Sequence, residues 1–279
     1  MKKAILITAS VVVAFLSSCS HKGDMTWRLI SMDGSRTGVI ACGPDNVAQT
    51  LGTFDDSLYY APSGRTFSKE TATYKVAKTL IEAQPTMSAV KVIIAESPRE
   101  MSIDEYPESP LGDWFVDILM SETSRLTGKK VHMGLANTGG VRIDMPKGDV
   151  LVDDIISMFP FKNSLCYLEM KGSDIRAVLD SLAANRWQLV GGARCVVKDK
   201  RLESVEIDGA PLDDSKTYGV ASISFLLRGG DEIYLGKNAL KVIDTHIMVG
   251  NIMLPYVKNL QSQGKLVECN PDGRIKIIE

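Results

Sequence analysis

The sequence predicts a mixed fold of the α/β or α+β class. Segments rich in β-branched residues alternate with segments of helical periodicity along most of the 279 residues. Two-residue turn signals, Asp199-Lys200 and Asp208-Gly209, separate adjacent apolar segments, which indicates antiparallel hairpins within this alternation. The sheets are therefore expected to be mixed rather than purely parallel.

The N-terminal segment has the features of an export signal. Lys2 and Lys3 give it a basic start, residues 4–15 are apolar but too short to span a bilayer, and the segment ends at Leu16-Ser17-Ser18-Cys19. That ending resembles the lipobox of bacterial lipoproteins, in which the cysteine carries the lipid. An ordinary secretory signal with an incidental cysteine is the alternative. We expect an exported protein anchored to a bacterial membrane through Cys19, on the periplasmic or the cell-surface side.

The pattern divides the chain into three parts. Residues 1–19 are the lipoprotein signal, residues 20–69 a tether and N-terminal extension, and residues 70–279 the main domain. Within the extension the sequence predicts only a short helix over 47–51, capped by Asp45.

The first half of the main domain is predicted to alternate helix and strand. The elements are a helix over 73–84 closed by Pro85, a strand over 90–95, a helix from Ser109 to Gly128, and a strand over 131–136. Ser109 is a suitable N-cap, Pro110 fits the first helical turn, and Gly128 is a natural C-cap.

The second half continues the alternation and adds a hairpin. The elements are a short helix that Asp153 or Asp154 caps and Pro160 ends, a strand over 164–170, a helix from Ser173 through Leu182, a hairpin of strands 195–198 and 202–207, a strand over 217–224, a helix over 248–260, and a closing strand over 274–278. Ser173 is placed to cap its helix in the same way as Ser109.

Charge and cysteine spacing exclude some classes of function. The formal net charge is −2, and no cluster of Lys and Arg has the density of a nucleic-acid-binding surface, so no nucleic acid polymer is expected as a partner. Cys42, Cys166, Cys195 and Cys269 have no CxxC spacing, which argues against a zinc or redox site. Isolated thiols are favoured for them, and disulfide pairing stays open because two bridges allow three connectivities.

Histidines are too few for a hydrolytic metal centre. The sequence has 3 of them, His21, His132 and His246, whereas a two-metal site needs several His, Asp and Asn ligands. His21 lies in the tether, and the other two lie in apolar, strand-like surroundings that favour a structural role. No nucleophile elbow or phosphate-binding glycine-rich loop is evident either. We therefore expect no metal, no cofactor and no catalytic residue in this chain.

Three short motifs carry side chains suited to a nucleoside or a nucleotide. They are Asn137-Thr138-Gly139-Gly140-Val141-Arg142, Phe159-Pro160-Phe161-Lys162-Asn163, and Ser224-Phe225 followed by Gly229-Gly230-Asp231. Two aromatic faces can hold a base at roughly 1–3 kcal/mol per stack. An aspartate can accept hydrogen bonds from a ribose diol, an arginine fork suits phosphate, and glycines allow close backbone approach. Taken singly, each phenylalanine is more often a core residue.

Together these motifs resemble the C-terminal domain of the 5′-nucleotidases, over roughly residues 70–279. The resemblance implies a four-layered α/β/β/α domain that binds the nucleoside part of a nucleotide. In that family two phenylalanines stack on the base, an aspartate holds the ribose, an asparagine and an arginine lie near the ribose and phosphate, and some members use a second asparagine on the base. The matching positions here are Phe161, Phe225, Asp231, Asn137, Arg142 and Asn163, with Gly139 and Gly140 in the turn between the first asparagine and the arginine.

The sequence departs from the family pattern at three places. Family members usually have Gly-Asn where this chain has Gly112-Asp113, and Gly where it has Glu232. Some members carry a phosphate-binding arginine a few residues upstream of Glu108, but residues 103–107 here read Ile-Asp-Glu-Tyr-Pro. A carboxylate there repels a phosphate, so base stacking is expected to be retained better than phosphate recognition.

These observations predict the substrate-recognition half of a split 5′-nucleotidase. The family's metallophosphatase domain, with its divalent metals, would then be a separate partner chain, and the present chain would bind the nucleotide. The alternative is a non-catalytic surface lipoprotein that binds nucleosides. A structural lipoprotein with a degenerate pocket ranks third.

Overall fold

The computed structural model describes residue 42 and residues 45–278. The proposed signal peptide and Cys19 lie outside the described residues. The chain divides into two compact units, Met1–Ile81 and Glu82–Glu279. No helix in the described part of the chain is both long enough and apolar enough to cross a bilayer.

Helices and strands alternate as the sequence predicts. The described helices are α1 (Val47–Leu51), α2 (Ala72–Met87), α3 (Pro110–Thr127), α4 (Val152–Met158), α5 (Gly172–Ala184), α6 (Ser224–Leu227) and α7 (Val249–Ser262). The strands are β1 (Thr53–Phe54), β2 (Leu58–Tyr60), β3 (Thr66–Ser68), β4 (Ile93–Ser97), β5 (Met133–Ala136), β6 (Gly148–Leu151), β7 (Ser164–Lys171), β8 (Leu189–Gly191), β9 (Ala193–Lys198), β10 (Arg201–Ile207), β11 (Ala210–Pro211), β12 (Thr217–Ile223), β13 (Lys241–Met248) and β14 (Ile275–Ile278).

The N-terminal unit contains a small antiparallel sheet of β1, β2 and β3 and the first part of α2. Its buried core is Tyr59, Tyr74 and Ala77. Both tyrosine hydroxyls donate to backbone carbonyls, Tyr59 to Leu51 at 2.8 Å and Tyr74 to Asp55 at 2.6 Å. The sequence analysis did not predict these strands because each has only two or three residues, too few to show an alternating pattern.

The second unit is built on two mixed sheets. A five-stranded sheet has the order β13-β7-β12-β5-β8, and a four-stranded sheet has the order β11-β10-β9-β14. β12 is parallel to β5 and β14 is parallel to β9, while the remaining pairs in these two sheets are antiparallel. Helix α3 packs on the five-stranded sheet and α5 packs on β10 and β7. The predicted α/β fold with mixed sheets is confirmed.

The centre of the five-stranded sheet is buried on both faces. All four residues of β5 are buried, as are six of the seven in β12. β5 is also parallel to its neighbour β12, so the carboxyl ends of the two strands lie at the same edge of the sheet. β7 is antiparallel to β12 and therefore begins at that edge, and β13 ends there, because Met248 pairs with Ser164. β8 also begins there, because Leu189 pairs with Ala136. Five connecting segments thus meet at one edge.

The predicted ends of α3 are confirmed. The Ser109 hydroxyl accepts a hydrogen bond from the Gly112 N–H at 3.0 Å, and Gly128 adopts the left-handed conformation at the C-cap. The two-residue turns are confirmed as well: Asp199, Lys200, Asp208 and Gly209 all have positive φ, as a tight hairpin turn requires.

Four predicted helix boundaries are wrong. Leu151 rather than Asp153 or Asp154 is the N-cap of α4, and the Asp154 carboxylate, inside the helix, accepts the Leu151 N–H at 2.7 Å. Asn46 rather than Asp45 occupies the N-cap of α1. Helix α2 continues through Pro85 to Met87, since a proline removes one backbone hydrogen bond without necessarily ending a helix. Helix α5 begins at Gly172, so that Ser173 lies inside it.

The start of α5 is fixed by a backbone contact instead of a side-chain cap. The N–H groups of Gly172 and Ser173 donate to the carbonyls of Lys216 and Asp214 at 2.9 and 3.1 Å. A Cβ at position 172 would overlap the carbonyl of Asp213, so only glycine permits this approach. The first two N–H groups of the helix are thus satisfied by another loop in place of a side-chain cap.

A partly buried charge cluster joins the N-terminal end of α3 to β14. The Arg274 guanidinium donates to both carboxylate oxygens of Asp117, at 2.7 and 3.0 Å, and to Asp272 at 3.0 Å. The two carboxylate oxygens of Glu108 accept the N–H groups of Gly273 and Ile275.

Asp113 lies within this cluster and is only 4% exposed. Its Oδ2 has no hydrogen-bond partner among the described residues. Burial raises the pKa of Asp113 to about 8, against the attraction of Arg274 and with the added repulsion of Glu108. The family pattern has an asparagine here, which is uncharged at any pH.

We expect Asp113→Asn to flatten the dependence of stability on pH. An unfolded aspartate has a pKa near 3.9, so the folded protein retains a proton that the unfolded chain has lost, and the contribution of Asp113 falls as pH rises from about 4 to about 8. Thermal unfolding at pH 5 to 8.5 should show a smaller loss of Tm in the variant, by a few degrees. Asp180→Asn, at an exposed position of α5, is the control. Parallel curves for wild type and Asp113→Asn would contradict the assignment.

Candidate functional site

The candidate site lies at the edge of the five-stranded sheet where five connecting segments meet. Asn137 follows β5, Phe225 follows β12, and Asn163 immediately precedes β7. In sheets of this kind, ligands commonly bind outside the carboxyl ends of the strands. The strand directions therefore bring together three motifs that are far apart in the sequence.

A hydrogen bond joins the first and third motifs. The Asn137 Nδ2 donates to the Asp231 Oδ2 at 2.7 Å. Asn137 is 5% exposed, whereas Asp231 is exposed. Asp231 has a φ of 51°, a left-handed conformation that an aspartate tolerates better than most residues. The Asn137 Oδ1 is buried and has no partner among the described residues.

Two consecutive glycines each support an aromatic ring. A Cβ at position 230 would overlap the ring of Phe225, and a Cβ at position 229 would overlap the ring of Tyr234. Gly229 also has a φ of 92°, which excludes most other residues. The Phe225 side chain remains 38% exposed and Tyr234 60% exposed. Close backbone approach thus fixes the position of both rings while leaving each partly open to solvent.

The second motif presents its phenylalanine beside Arg142. The Arg142 Cζ lies 5.8 Å from the centroid of the Phe161 ring, within the range of a cation–π interaction. The same guanidinium donates to the carbonyl of Gly139 at 3.2 Å. Phe161 is 46% exposed, and the segment before it is held by the buried Phe159, whose ring centroid lies 4.8 Å from that of Phe115.

The residues of the three motifs line two cavities at this edge. The outer cavity, of about 650 Å³, is lined by Ile103, Asp104, Thr138, Gly139, Val141, Arg142, Ile143, Asp144, Arg186, Gln188 and Asp231. A much smaller inner cavity is lined by Phe115, Gly140, Phe159, Phe161, Asn163, Ile223 and Val249. Six of the eight predicted ligand residues therefore line one or the other. Phe225 and Asn137 line neither, although Asn137 is bonded to Asp231 on the outer wall.

Several side chains at this edge were not anticipated from the sequence. The Gln188 Oε1 accepts the N–H of Thr138 at 2.9 Å and so holds the Asn137-to-Arg142 turn against the start of β8. The Ser224 hydroxyl accepts the N–H of Ser164 at 3.1 Å and ties the end of β12 to the start of β7. Arg186 lines the outer cavity, and the Tyr234 ring lies against Gly229. Ser224 begins the third motif, although no role for its hydroxyl was predicted from the sequence. No motif or periodicity marks Gln188, Arg186 or Tyr234, because their roles depend on contacts between distant segments.

The histidines in the described residues have different surroundings. The His132 Nδ1 accepts the N–H of Gly219 at 2.8 Å, and burial lowers the pKa of His132, which fits the predicted structural role. His246 lies in β13, but its side chain is 86% exposed, so the apolar surroundings expected for it are wrong. The reason is a break in the pairing of β13 between Asp244 and Met248, which turns His246 outward.

Cysteine chemistry plays no part in this site. Cys166, Cys195 and Cys269 are free thiols. Burial raises the pKa of Cys166 and Cys195 to about 12 and that of Cys269 to about 11, so these thiols stay protonated and unreactive near neutral pH.

Comparison with known proteins agrees with this fold and these motifs. The sequence profile of a family described as "5′-nucleotidase, C-terminal domain" matches residues 88–237, more than half of the chain. The crystal structure of a 5′-nucleotidase precursor from Thermus thermophilus superposes with a TM-score of 0.64 at 26% identity, covering 80% of this chain and 49% of that one.

Curated relatives match over part of their length. "Protein UshA" of Yersinia enterocolitica is 35% identical over 142 residues, which is 49% of this chain and 26% of the relative. The apyrase of Tabanus yao is 26% identical over 215 residues, 67% of this chain and 38% of the relative. The chain thus spans only about a quarter to two fifths of these two relatives.

The fold and the site define a domain of the nucleotidase type. The chain belongs to the 5′-nucleotidase C-terminal domain family.

We expect the cost of Gly230→Ala to depend on Phe225. In the wild-type background the new Cβ overlaps the Phe225 ring, and such overpacking costs about 1–3 kcal/mol. In a Phe225→Ala background the overlap disappears, so the same substitution should cost close to nothing. Urea unfolding of the wild type, the two single variants and the double variant measures both costs. An equal cost in the two backgrounds would show that the ring does not lie against Gly230.

Proposed function

We propose that this chain is the nucleotide-recognition part of a split 5′-nucleotidase. It binds the nucleoside portion of a nucleotide at the edge of the five-stranded sheet, and a separate metallophosphatase chain supplies the metals and the hydrolysis. The observation that carries the proposal is the hydrogen bond between Asn137 and Asp231, beside two exposed phenylalanines, in a member of the 5′-nucleotidase C-terminal domain family.

Each group at the site has a definite task in this proposal. Phe161 and Phe225 present ring faces to the base, and their exposure leaves those faces accessible. One oxygen of Asp231 is held by the Asn137 amide, which orients the carboxylate so that its other oxygen accepts hydrogen bonds from the ribose hydroxyls. Arg142 is placed for the phosphate, and Asn163, near Phe161, for the edge of the base.

The residues at this edge do not fit a two-metal centre. Such a centre needs several carboxylate and imidazole ligands around the metal pair. The outer cavity has the carboxylates of Asp104, Asp144 and Asp231, but its lining includes two arginines and no histidine. Within residues 45–278, no three His, Cys, Asp or Glu side chains converge as metal ligands would. We therefore assign the divalent metals and the hydrolysis to the partner chain and assign no catalytic residue here.

Export and lipid anchoring at Cys19 complete the proposal. They rest on the basic start, the apolar segment and the lipobox-like sequence before Cys19. The anchor would hold the recognition domain at a bacterial membrane, where an exported metallophosphatase chain meets it.

A second candidate function is nucleoside capture without hydrolysis. The outer cavity contains the carboxylates of Asp104 and Asp144 as well as the guanidinium of Arg142. Carboxylates at this position favour an uncharged nucleoside over its phosphate. Calorimetry separates the two functions: AMP binding clearly more tightly than adenosine supports the nucleotidase role, and equal affinities support capture.

We expect Asp231→Ala to remove discrimination between ribose and a sugar without hydroxyls. A hydrogen bond to a charged group contributes about 1.5–3 kcal/mol, so wild type should bind adenosine at least about tenfold more tightly than 2′,3′-dideoxyadenosine. In Asp231→Ala the two affinities should become equal in calorimetry. Asp180→Ala, on the exposed face of α5, should retain the wild-type preference. If Asp231→Ala also retains it, the ribose does not contact Asp231.

Reconstitution tests the split-enzyme part. The full chain is added to a purified metallophosphatase chain from the same organism with AMP and Mn²⁺, and released phosphate is measured. Turnover should rise at least about tenfold over the metallophosphatase alone, because substrate positioning of this kind contributes several kcal/mol. The rise should be lost with Asp231→Ala. No rise above the metallophosphatase alone would contradict the proposal.

A further inference from the structure

Arg186 lies in the segment between α5 and β8, on the wall of the outer cavity that also includes Arg142 and Asp231. Its position is fixed by its neighbours rather than by its own side chain. Trp187 is 2% exposed and anchors the backbone in the core, and Gln188 is bonded to the Asn137-to-Arg142 turn. Arg186 therefore lies in a short segment whose position is fixed by these two contacts, the packing of Trp187 in the core and the bond of Gln188 to the turn.

Neither arginine of the outer cavity is neutralised by a carboxylate. Within the described residues, the Arg186 side chain has no hydrogen bond or ion pair, and the Arg142 guanidinium has only the hydrogen bond to the Gly139 carbonyl and the contact with the Phe161 ring. By contrast, Arg176 pairs with Asp214 and Arg274 with Asp117 elsewhere in the molecule. Two unpaired guanidinium groups on one cavity wall are suited to an anion, because each can donate two parallel hydrogen bonds to it.

Carboxylates in the same cavity limit how an anion can be bound there. Asp104, Asp144 and Asp231 line it together with the two arginines, so its net charge does not favour anions at long range. One oxygen of Asp144 is already engaged by the N–H of Ile103 at 2.9 Å. An anion would thus be bound only by direct hydrogen bonds to the guanidinium groups. Such a site selects among anions by the geometry of these hydrogen bonds more than by long-range electrostatic attraction.

The position of Asp231 relates this anion site to the nucleoside. Asp231, the proposed ribose acceptor, lines the outer cavity, while Phe161, a proposed base contact, lines the inner one. A nucleoside whose base lies by Phe161 and whose ribose meets Asp231 extends from the inner cavity to the outer one, which Arg142 and Arg186 also line.

We propose that Arg186 contacts the 5′-phosphate of the bound nucleotide, together with Arg142, and so determines preference for nucleotides over nucleosides. This inference rests on the proposed function. It assigns phosphate recognition to residues 185–188, a segment outside the motifs found in the sequence, in a cavity that the Asp104 carboxylate also lines.

Calorimetry with adenosine and AMP on the full chain tests the assignment. We expect wild type to bind AMP more tightly than adenosine, and Arg186→Ala to weaken AMP binding at least about tenfold without changing adenosine binding. Arg186→Lys should restore part of the preference, since it keeps the charge but loses the fork. Arg201→Ala, at an exposed position of β10 that lines none of the described cavities, should behave as wild type.

The outcomes separate this inference from the proposed function. If adenosine and AMP bind wild type equally, or Arg186→Ala affects both ligands alike, the role of Arg186 is contradicted while nucleoside binding stands. If neither ligand binds wild type, the proposed function and the role of Arg186 are both overturned. Unchanged adenosine affinity in Arg186→Ala also shows that the variant is folded, so a selective loss of AMP cannot come from unfolding.

Discussion

The hydrogen bond between Asn137 and Asp231 is the contact on which the candidate site depends. It joins residues 94 positions apart, and it forms because β5 and β12 are parallel neighbours whose carboxyl ends lie at one edge. The buried Asn137 amide has lost its water, so an unpaired donor there would cost free energy. The bond therefore holds an exposed carboxylate in one orientation. Without this hydrogen bond, no contact among the described residues would fix the orientation of the exposed Asp231 carboxylate.

The two glycines before Asp231 add a second constraint of the same kind. Gly229 and Gly230 bring the backbone against the rings of Tyr234 and Phe225, so the aromatic surface and the carboxylate are set by one short segment. A movement of this segment displaces both. The close approach that positions the Phe225 ring also prevents a larger residue from being accepted at position 230. The proposed base contact of Phe225 and the proposed ribose contact of Asp231 thus depend on the position of the same backbone segment.

The sequence predicted well those features that depend on local interactions. The caps of α3, the hairpin turns at Asp199 and Asp208, and the alternation of helix and strand all follow from a few adjacent residues. Features that depend on distant contacts were missed. The start of α5 is set by the loop around Asp214, and the strands of the N-terminal unit are too short to show a period. At the site, the motifs identified six residues that line the cavities, but Gln188 and Arg186 are recognisable only once β8 lies beside β5.

The charged residues around the outer cavity show why phosphate binding cannot be judged from neighbouring residues in the sequence alone. Along the sequence, Asp104 and Glu105 lie in the segment where some family members carry an arginine, and they indicate repulsion of an anion. In space, the cavity that Asp104 lines has Arg186 and Arg142 on its wall, and Asp104 forms an ion pair with neither. An anion can bind in a cavity that also contains a carboxylate when the guanidinium groups are not already paired with that carboxylate, because each arginine then has N–H groups left to donate to the anion. In the role proposed for Arg186, phosphate recognition thus depends on which segments converge on the cavity as well as on the residues nearest in sequence to the family motif.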